Sequence, residues 1–137
     1  MNVYFSCSLT GGRTDQPAYA ALVALMQALG HQVLTAHLAL ASAATEDVGL
    51  SPQTVFDRDT AWLRDSDAVV AEVSTPSHGV GFEIAYALER GKPVLCLARE
   101  GVRVSKMLTG IRQAGFDFET YRDQVEANVH LEAFLGR

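Results

Sequence analysis

Residues 68–83, AVVAEVSTPSHGVGFE, run from a nearly all-apolar stretch, Ala68 to Val73, through the small-residue loop Ser74 to Gly81 into a helix that the pattern places at Val80 to Arg90. A short strand with almost no polar alternation is one buried on both faces, and a helix directly after it makes a parallel sheet the natural home. The same alternation continues on either side. Upstream, Val3 to Ser6 predicts a strand, Ser6 to Arg13 a glycine-containing loop, Pro17 to Gly30 an amphipathic helix, Gln32 to Ala36 a second strand and Pro52 to Asp65 a second helix. Downstream, Pro93 to Leu97 and Phe116 to Tyr121 complete five strands, with a short helix at Ser105 to Ile111 and a last one at Arg122 to Leu135. The expected fold is α/β, a doubly wound five-stranded parallel sheet with helices on both faces, formed by residues 1–137 as one domain.

Composition agrees with a packed core: 48 % of the 137 residues are hydrophobic and 20 % charged. The formal charge of −5 opposes binding of a nucleic-acid polymer or an anionic membrane, both of which need a basic surface. Cys7 and Cys96 fall in apolar runs without Cys-x-x-Cys or Cys/His spacing, so two buried thiols and no metal are expected. MNVYFSCSL lacks a basic n-region, and no run approaches the ~18 apolar residues of a membrane span. A soluble, cytoplasmic protein follows as the expectation.

In a doubly wound sheet, ligands collect beyond the carboxyl ends of the strands. Three places qualify: Ser6 to Arg13, His37 after the second strand, and Ser74 to Gly81. The first, SCSLTGGR, offers the hydroxyls of Ser6, Ser8 and Thr10, backbone amides and Arg13, which together suit an anion; a glycine pair before a helix is equally a plain turn. The third offers Ser77, Gly79 and Gly81 ahead of a helix N-terminus, which attracts negative charge.

Two carboxylates stand out. On the helix opened by Ser51 and Pro52, the positions Val55, Phe56, Trp62 and Leu63 form one apolar arc with Asp59 near its centre. Such an acid is paired, caps a loop, or is kept partly protonated by desolvation, the last being what a general acid needs. Glu83, in the first turn of the next helix by this pattern, is either a dipole-complementing surface residue or an ionised nucleophile. Carboxylates whose environments push their pKa values apart suit glycosidic cleavage. Phe56, Trp62, Met26 and Leu29 have helical spacing and are expected in the core, with His31 and His130 at element edges.

The segments YFSCSLTGGR (4–13), VLTAH (33–37), RDTAWLRDSDAVVAEVSTPSHGVGFEIAYAL (58–88) and GKPVLCL (91–97) together resemble the 2'-deoxynucleoside 5'-phosphate N-hydrolases, a branch of the nucleoside 2-deoxyribosyltransferase-like superfamily. The resemblance implies a flavodoxin-like (Rossmann-like) sheet, a homodimer whose sites borrow a residue from the partner, and no cofactor. It implies Glu83 as the nucleophile that forms a covalent deoxyribosyl intermediate, Asp59 as the acid assisting departure of the base, and Tyr4 as the hydroxyl orienting the nucleophile. It also implies His37 near the base, Ser77, Gly79 and the backbone of Ser8, Leu9 and Thr10 at the 5'-phosphate, and Ser105 as the residue given to the partner subunit.

The chain departs from the family where it reads Cys7, Leu9 and Thr10 in place of the glycine, isoleucine and first arginine of Gly-Ser-Ile-Arg-Gly-Gly-Arg. Loss of that arginine removes a phosphate cation, for which Arg13 or His78 is the expected compensation. The function expected is hydrolysis of the N-glycosidic bond of 2'-deoxynucleoside 5'-monophosphates to free base and 2-deoxyribose 5-phosphate. A deoxyribosyltransferase exchanging bases, and a non-catalytic nucleotide sensor on the same sheet, are the alternatives.

Overall fold

The structure, a computed structural model, describes residues 1–137, excepting the side chain of Ala44. Five strands, β1 (Asn2–Ser6), β2 (Gln32–Val33), β3 (Ala68–Glu72), β4 (Val94–Arg99) and β5 (Phe116–Tyr121), pair in parallel in the order β2-β1-β3-β4-β5. This is the flavodoxin-like order, whose direction of winding reverses between β1 and β3 and opens a crevice at their carboxyl ends. The helices are α1 (Gln16–Ala28), α2 (Ala43–Glu46), α3 (Pro52–Asp65), α4 (His78–Leu88), α5 (Lys106–Thr109) and α6 (Gln124–Leu135).

The strand period of two divides the sheet's side chains between two cores. Val3, Phe5, Val70 and Leu97 face α1 and α6, where Tyr19, Leu22 and Leu131 are fully buried. Tyr4, Val69, Ala71 and Cys96 face α3 and α4, where Leu63, Ile84 and Ala87 meet them. Burial of each such leucine contributes about 1.5–3 kcal/mol. Register sets Tyr4 beside Val69 and Ser6 beside Ala71, so Tyr4 and Ser6 lie on one face, two residues apart, at the crevice.

Several expected boundaries shift. The second strand ends at Val33 rather than Ala36 because the Thr35 hydroxyl accepts from the Phe5 amide (2.8 Å) and donates to the Phe5 carbonyl (2.7 Å), which replaces the backbone ladder. The chain then turns through a 3-10 segment, Ala36–Ala39, that carries His37. Gly30, with φ of +85°, lets the chain leave α1 where a side chain would be strained. Of the expected core residues, Met26 is fully buried and Trp62 partly so, whereas Phe56 and Leu29 are 50 % and 44 % exposed. No helix among the described residues is long and apolar enough to cross a membrane.

Candidate active site

Glu83 is the sixth residue of α4, because the helix begins at His78 rather than Val80. It therefore lies above the carboxyl end of β1 rather than in the first helical turn. The hydroxyl of Tyr4 donates to its Oε1 at 2.8 Å, and the hydroxyl of Ser6 donates to its Oε2. Two donors from one strand face thus hold both oxygens of one carboxylate.

This geometry corrects the expected charge state of Glu83. Burial pushes its pKa up to about 7, against the opposing hydrogen bonds from Ser6 and Tyr4, and the charge of Asp59 adds to the rise. The helix dipole, strongest in the first turn, does not dominate here. Burial likewise holds the Tyr4 phenol well above its ordinary value, with the charges of Glu83 and Asp59 acting in the same direction, so Tyr4 serves as a donor.

Asp59, on α3, shares with Glu83 a cavity of about 460 Å³ between α3 and α4, walled by Phe56, Phe82 and Gly79. Sequence periodicity puts Asp59 amid apolar neighbours. Of the alternatives open to such an acid, pairing is the one found: its carboxylate accepts from Arg58 Nε at 2.8 Å with 21 % of the side chain exposed. Arg58 also reaches Asp47 at 2.8 Å, which ties the segment after α2 to the cavity wall. The Arg58 guanidinium stacks over Trp62 (4.9 Å), and the ring of His37 meets Trp62 edge-on at 5.4 Å. His37 thus packs on Trp62 of α3 and is not among the residues that line this cavity.

The loops after β1 and β3 pack against one another. A Cβ on Gly11 would come within 2.3 Å of the Pro76 carbonyl oxygen, so only glycine permits this approach. Ser8 is fully buried and its hydroxyl has no partner among the described residues, while Leu9 is half-buried and Thr10 exposed. Ser77 caps α4 by accepting from the Val80 amide at 3.4 Å, and Gly79 follows within the first turn.

One expected substrate contact, Arg13, is engaged within the chain itself. Arg13 donates through Nη2 to the carbonyls of Leu38 (2.9 Å) and Leu40 (2.6 Å) and through Nη1 to that of Ser8 (3.3 Å). Its guanidinium braces the turn after β2, so the compensating phosphate cation is not supplied by an unengaged Arg13. Ser105 caps α5, accepting from the Met107 amide at 3.2 Å, and lines a separate groove of about 510 Å³ together with Ser77, His78 and Arg103. Ser6 as the second donor to Glu83 and Arg58 as the partner of Asp59 were not singled out beforehand; the i, i+2 spacing from Tyr4 was the available signal for the first. No group of three or more His, Cys, Asp or Glu side chains among the described residues could hold a metal.

Residues 3–129 match the nucleoside 2-deoxyribosyltransferase family. The chain belongs to that family. The matched span of this deoxyribosyltransferase-family protein includes Tyr4, His37, Asp59, Glu83 and Ser105. It is 41 % identical over 143 residues to the 5-hydroxymethyl-dUMP N-hydrolase of Mus musculus, covering 98 % of this chain and 82 % of the mouse protein. To the 5-hydroxymethyl-dUMP N-hydrolase of Tetraodon nigroviridis it is 44 % identical over 114 residues, 80 % of each chain. The solved structure of a Clostridium botulinum CMP N-glycosidase, BcmB, shares the fold with a TM-score of 0.73 at 17 % identity, covering 98 % of this chain and 99 % of that one. The N-hydrolase branch of this enzyme family is the one that the sequence resembles.

Proposed function

We propose that the protein hydrolyses the N-glycosidic bond of 2'-deoxynucleoside 5'-monophosphates, releasing free base and 2-deoxyribose 5-phosphate through a glycosyl ester on Glu83. The observation that carries this is the Glu83 carboxylate, held by Tyr4 and Ser6, opening onto a cavity that Asp59 also lines. Names of relatives that act on a deoxynucleoside monophosphate support the substrate class.

In the first step ionised Glu83 attacks C1', the C1'–N bond breaks through an oxocarbenium-like transition state, and the base leaves with a proton delivered from Asp59. In the second, water attacks C1', Asp59 takes its proton, and the C1'–Oε bond to Glu83 breaks, with net retention. Tyr4 and Ser6 fix the carboxylate for attack, and Arg58 orients Asp59. Ser77, Gly79 and the backbone of Ser8 to Thr10 receive the 5'-phosphate, with the α4 N-terminus adding positive potential. A 2'-hydroxyl would destabilise the developing cation, which favours deoxyribose.

The working unit under this reading is a cytoplasmic homodimer in which Ser105 completes the partner's phosphate site. Supporting it, a ladder of Phe56, Phe82 and Tyr86, with centroids 5.8 and 5.7 Å apart, runs along α3 and α4 beside the cavity with Phe56 and Phe82 about half exposed. Both cysteines are free and buried, as suits a reducing compartment.

Incubation with deoxynucleosides and their 5'-monophosphates, with and without a free acceptor base, tests the reading by product chromatography. Free base from monophosphates is expected. A new nucleoside in the presence of acceptor would make the transferase reaction the correct one, and no product from any substrate would contradict catalysis.

A further inference from the structure

Asp15 occupies the N-cap position of α1, where an aspartate ordinarily accepts from an amide of the first turn and so stabilises the helix. Its side chain makes no such bond. It is turned inward and 95 % buried: Oδ2 accepts from the Thr75 hydroxyl at 3.0 Å, and Oδ1 pairs with Arg99 Nε at 2.7 Å. Thr75 is sixty positions away in sequence, in the loop that leads from β3 into α4, and Arg99 ends β4.

Arg99 extends the tie. Its backbone amide donates to the Ser74 hydroxyl at 2.7 Å, and Ser74 in turn donates to the fully buried Glu72. The β3 loop is therefore held from both sides, by Asp15 at Thr75 and by Arg99 and Glu72 at Ser74. Opposite Pro76 stands Gly11, in the loop that leads to Asp15 itself, at a separation that no larger residue allows. The two loops that receive the phosphate in the reading above meet at this point, and the fully buried Ser8 hydroxyl, without a partner among the described residues, lies 2.8 Å from where a Gly11 Cβ would be.

A local cap is thus exchanged for a long-range bracket joining the loops after β1 and β3. We propose that Asp15 is a positioning residue that, through Thr75 and Arg99, sets the separation of these loops and thereby the enzyme's selection of substrates bearing a terminal phosphoryl group. The inference rests on the assignment of these loops to the 5'-phosphate.

The test compares a deoxynucleoside 5'-monophosphate with the same deoxynucleoside for wild type, Asp15→Asn, Thr75→Val, Arg99→Ala and Arg99→Lys. Thr75→Val leaves the Asp15–Arg99 pair in place, so it reports on the bracket even where loss of the Asp15 charge impairs folding. Loss of a hydrogen bond to a charged group is expected to raise KM for the monophosphate roughly tenfold in Thr75→Val and Arg99→Ala, with kcat within about twofold and little change on the deoxynucleoside. Arg99→Lys, which keeps a cation for Asp15, is expected to recover most of the loss. Variants that discriminate between the two substrates as wild type does, or that lose activity on both alike, overturn the inference alone. Wild type with equal kcat/KM on both substrates overturns the phosphate assignment and the inference with it.

Discussion

Glu72 and Glu83 have nearly the same partners and opposite surroundings. Glu72 accepts from the Ser74 and Tyr121 hydroxyls, the latter at 2.9 Å; Glu83 accepts from those of Ser6 and Tyr4. Burial raises the pKa of both, against the hydrogen bonds each receives. Glu72 is sealed at the end of the central strand with no exposed surface, and it ties down a loop. Glu83, one helix away, looks into a cavity of about 460 Å³ shared with Asp59. A serine and a tyrosine on a carboxylate are common to both; access for a reacting atom is what the role proposed for Glu83 requires and Glu72 lacks.

Four substitutions sharpen that contrast. The largest effect is expected from Glu83→Ala: turnover falls at least about a thousandfold, because the proposed covalent nucleophile has no substitute. Next, Tyr4→Phe lowers kcat about tenfold to a hundredfold by removing one donor that orients the nucleophile, whereas Tyr121→Phe leaves kcat within about twofold; steady-state kinetics on both variants checks this. Glu72→Ala acts on stability instead, by on the order of 3 kcal/mol in urea denaturation, since the Ser74 and Tyr121 donors lose a buried acceptor.

The pH effects have a definite sign. Glu83 in the folded protein has its pKa raised from 4.5 to about 7, so between these values the folded state binds more protons than the unfolded one. Stability from this group is therefore complete below about pH 4.5 and declines as pH rises through 7, by about 3 kcal/mol at most. Glu83→Gln should remove that part of the slope in urea midpoints taken from pH 5 to 8. Since attack needs the ionised Glu83 carboxylate, the acid limb of the wild-type kcat/KM profile, the one that belongs to Glu83, should rise through about pH 7.

Strand runs and proline- and serine-opened helices made the sheet legible in sequence, because fully buried parallel strands leave an apolar signature, at Ala68 to Val73 interrupted by Glu72 alone. The pairing of Tyr4 with Glu83 was legible only through the family motifs. What sequence could not show was environment. Helical periodicity put Asp59 in an apolar arc, but Arg58, its immediate neighbour, folds back onto it. Phe56 matches core spacing yet walls an open cavity, since nothing in the pattern distinguishes a buried face from a concave one. Arg13 reads as an anion contact until the carbonyls of Leu38 and Leu40 come into reach, a consequence of the early end of β2 at Val33.

The central claim is that Glu83, and not its sealed counterpart Glu72, bonds to the sugar. Rapid acid quench of the enzyme during turnover of a 2-fluorinated deoxynucleoside monophosphate, whose fluorine slows both steps by destabilising the cation, followed by mass spectrometry of proteolytic fragments, tests it directly. A deoxyribosyl phosphate adduct carrying the fluorine on Glu83 is predicted, absent in Glu83→Gln and retained in Glu72→Gln. An adduct on any other residue, or turnover that persists in Glu83→Gln, would contradict the account.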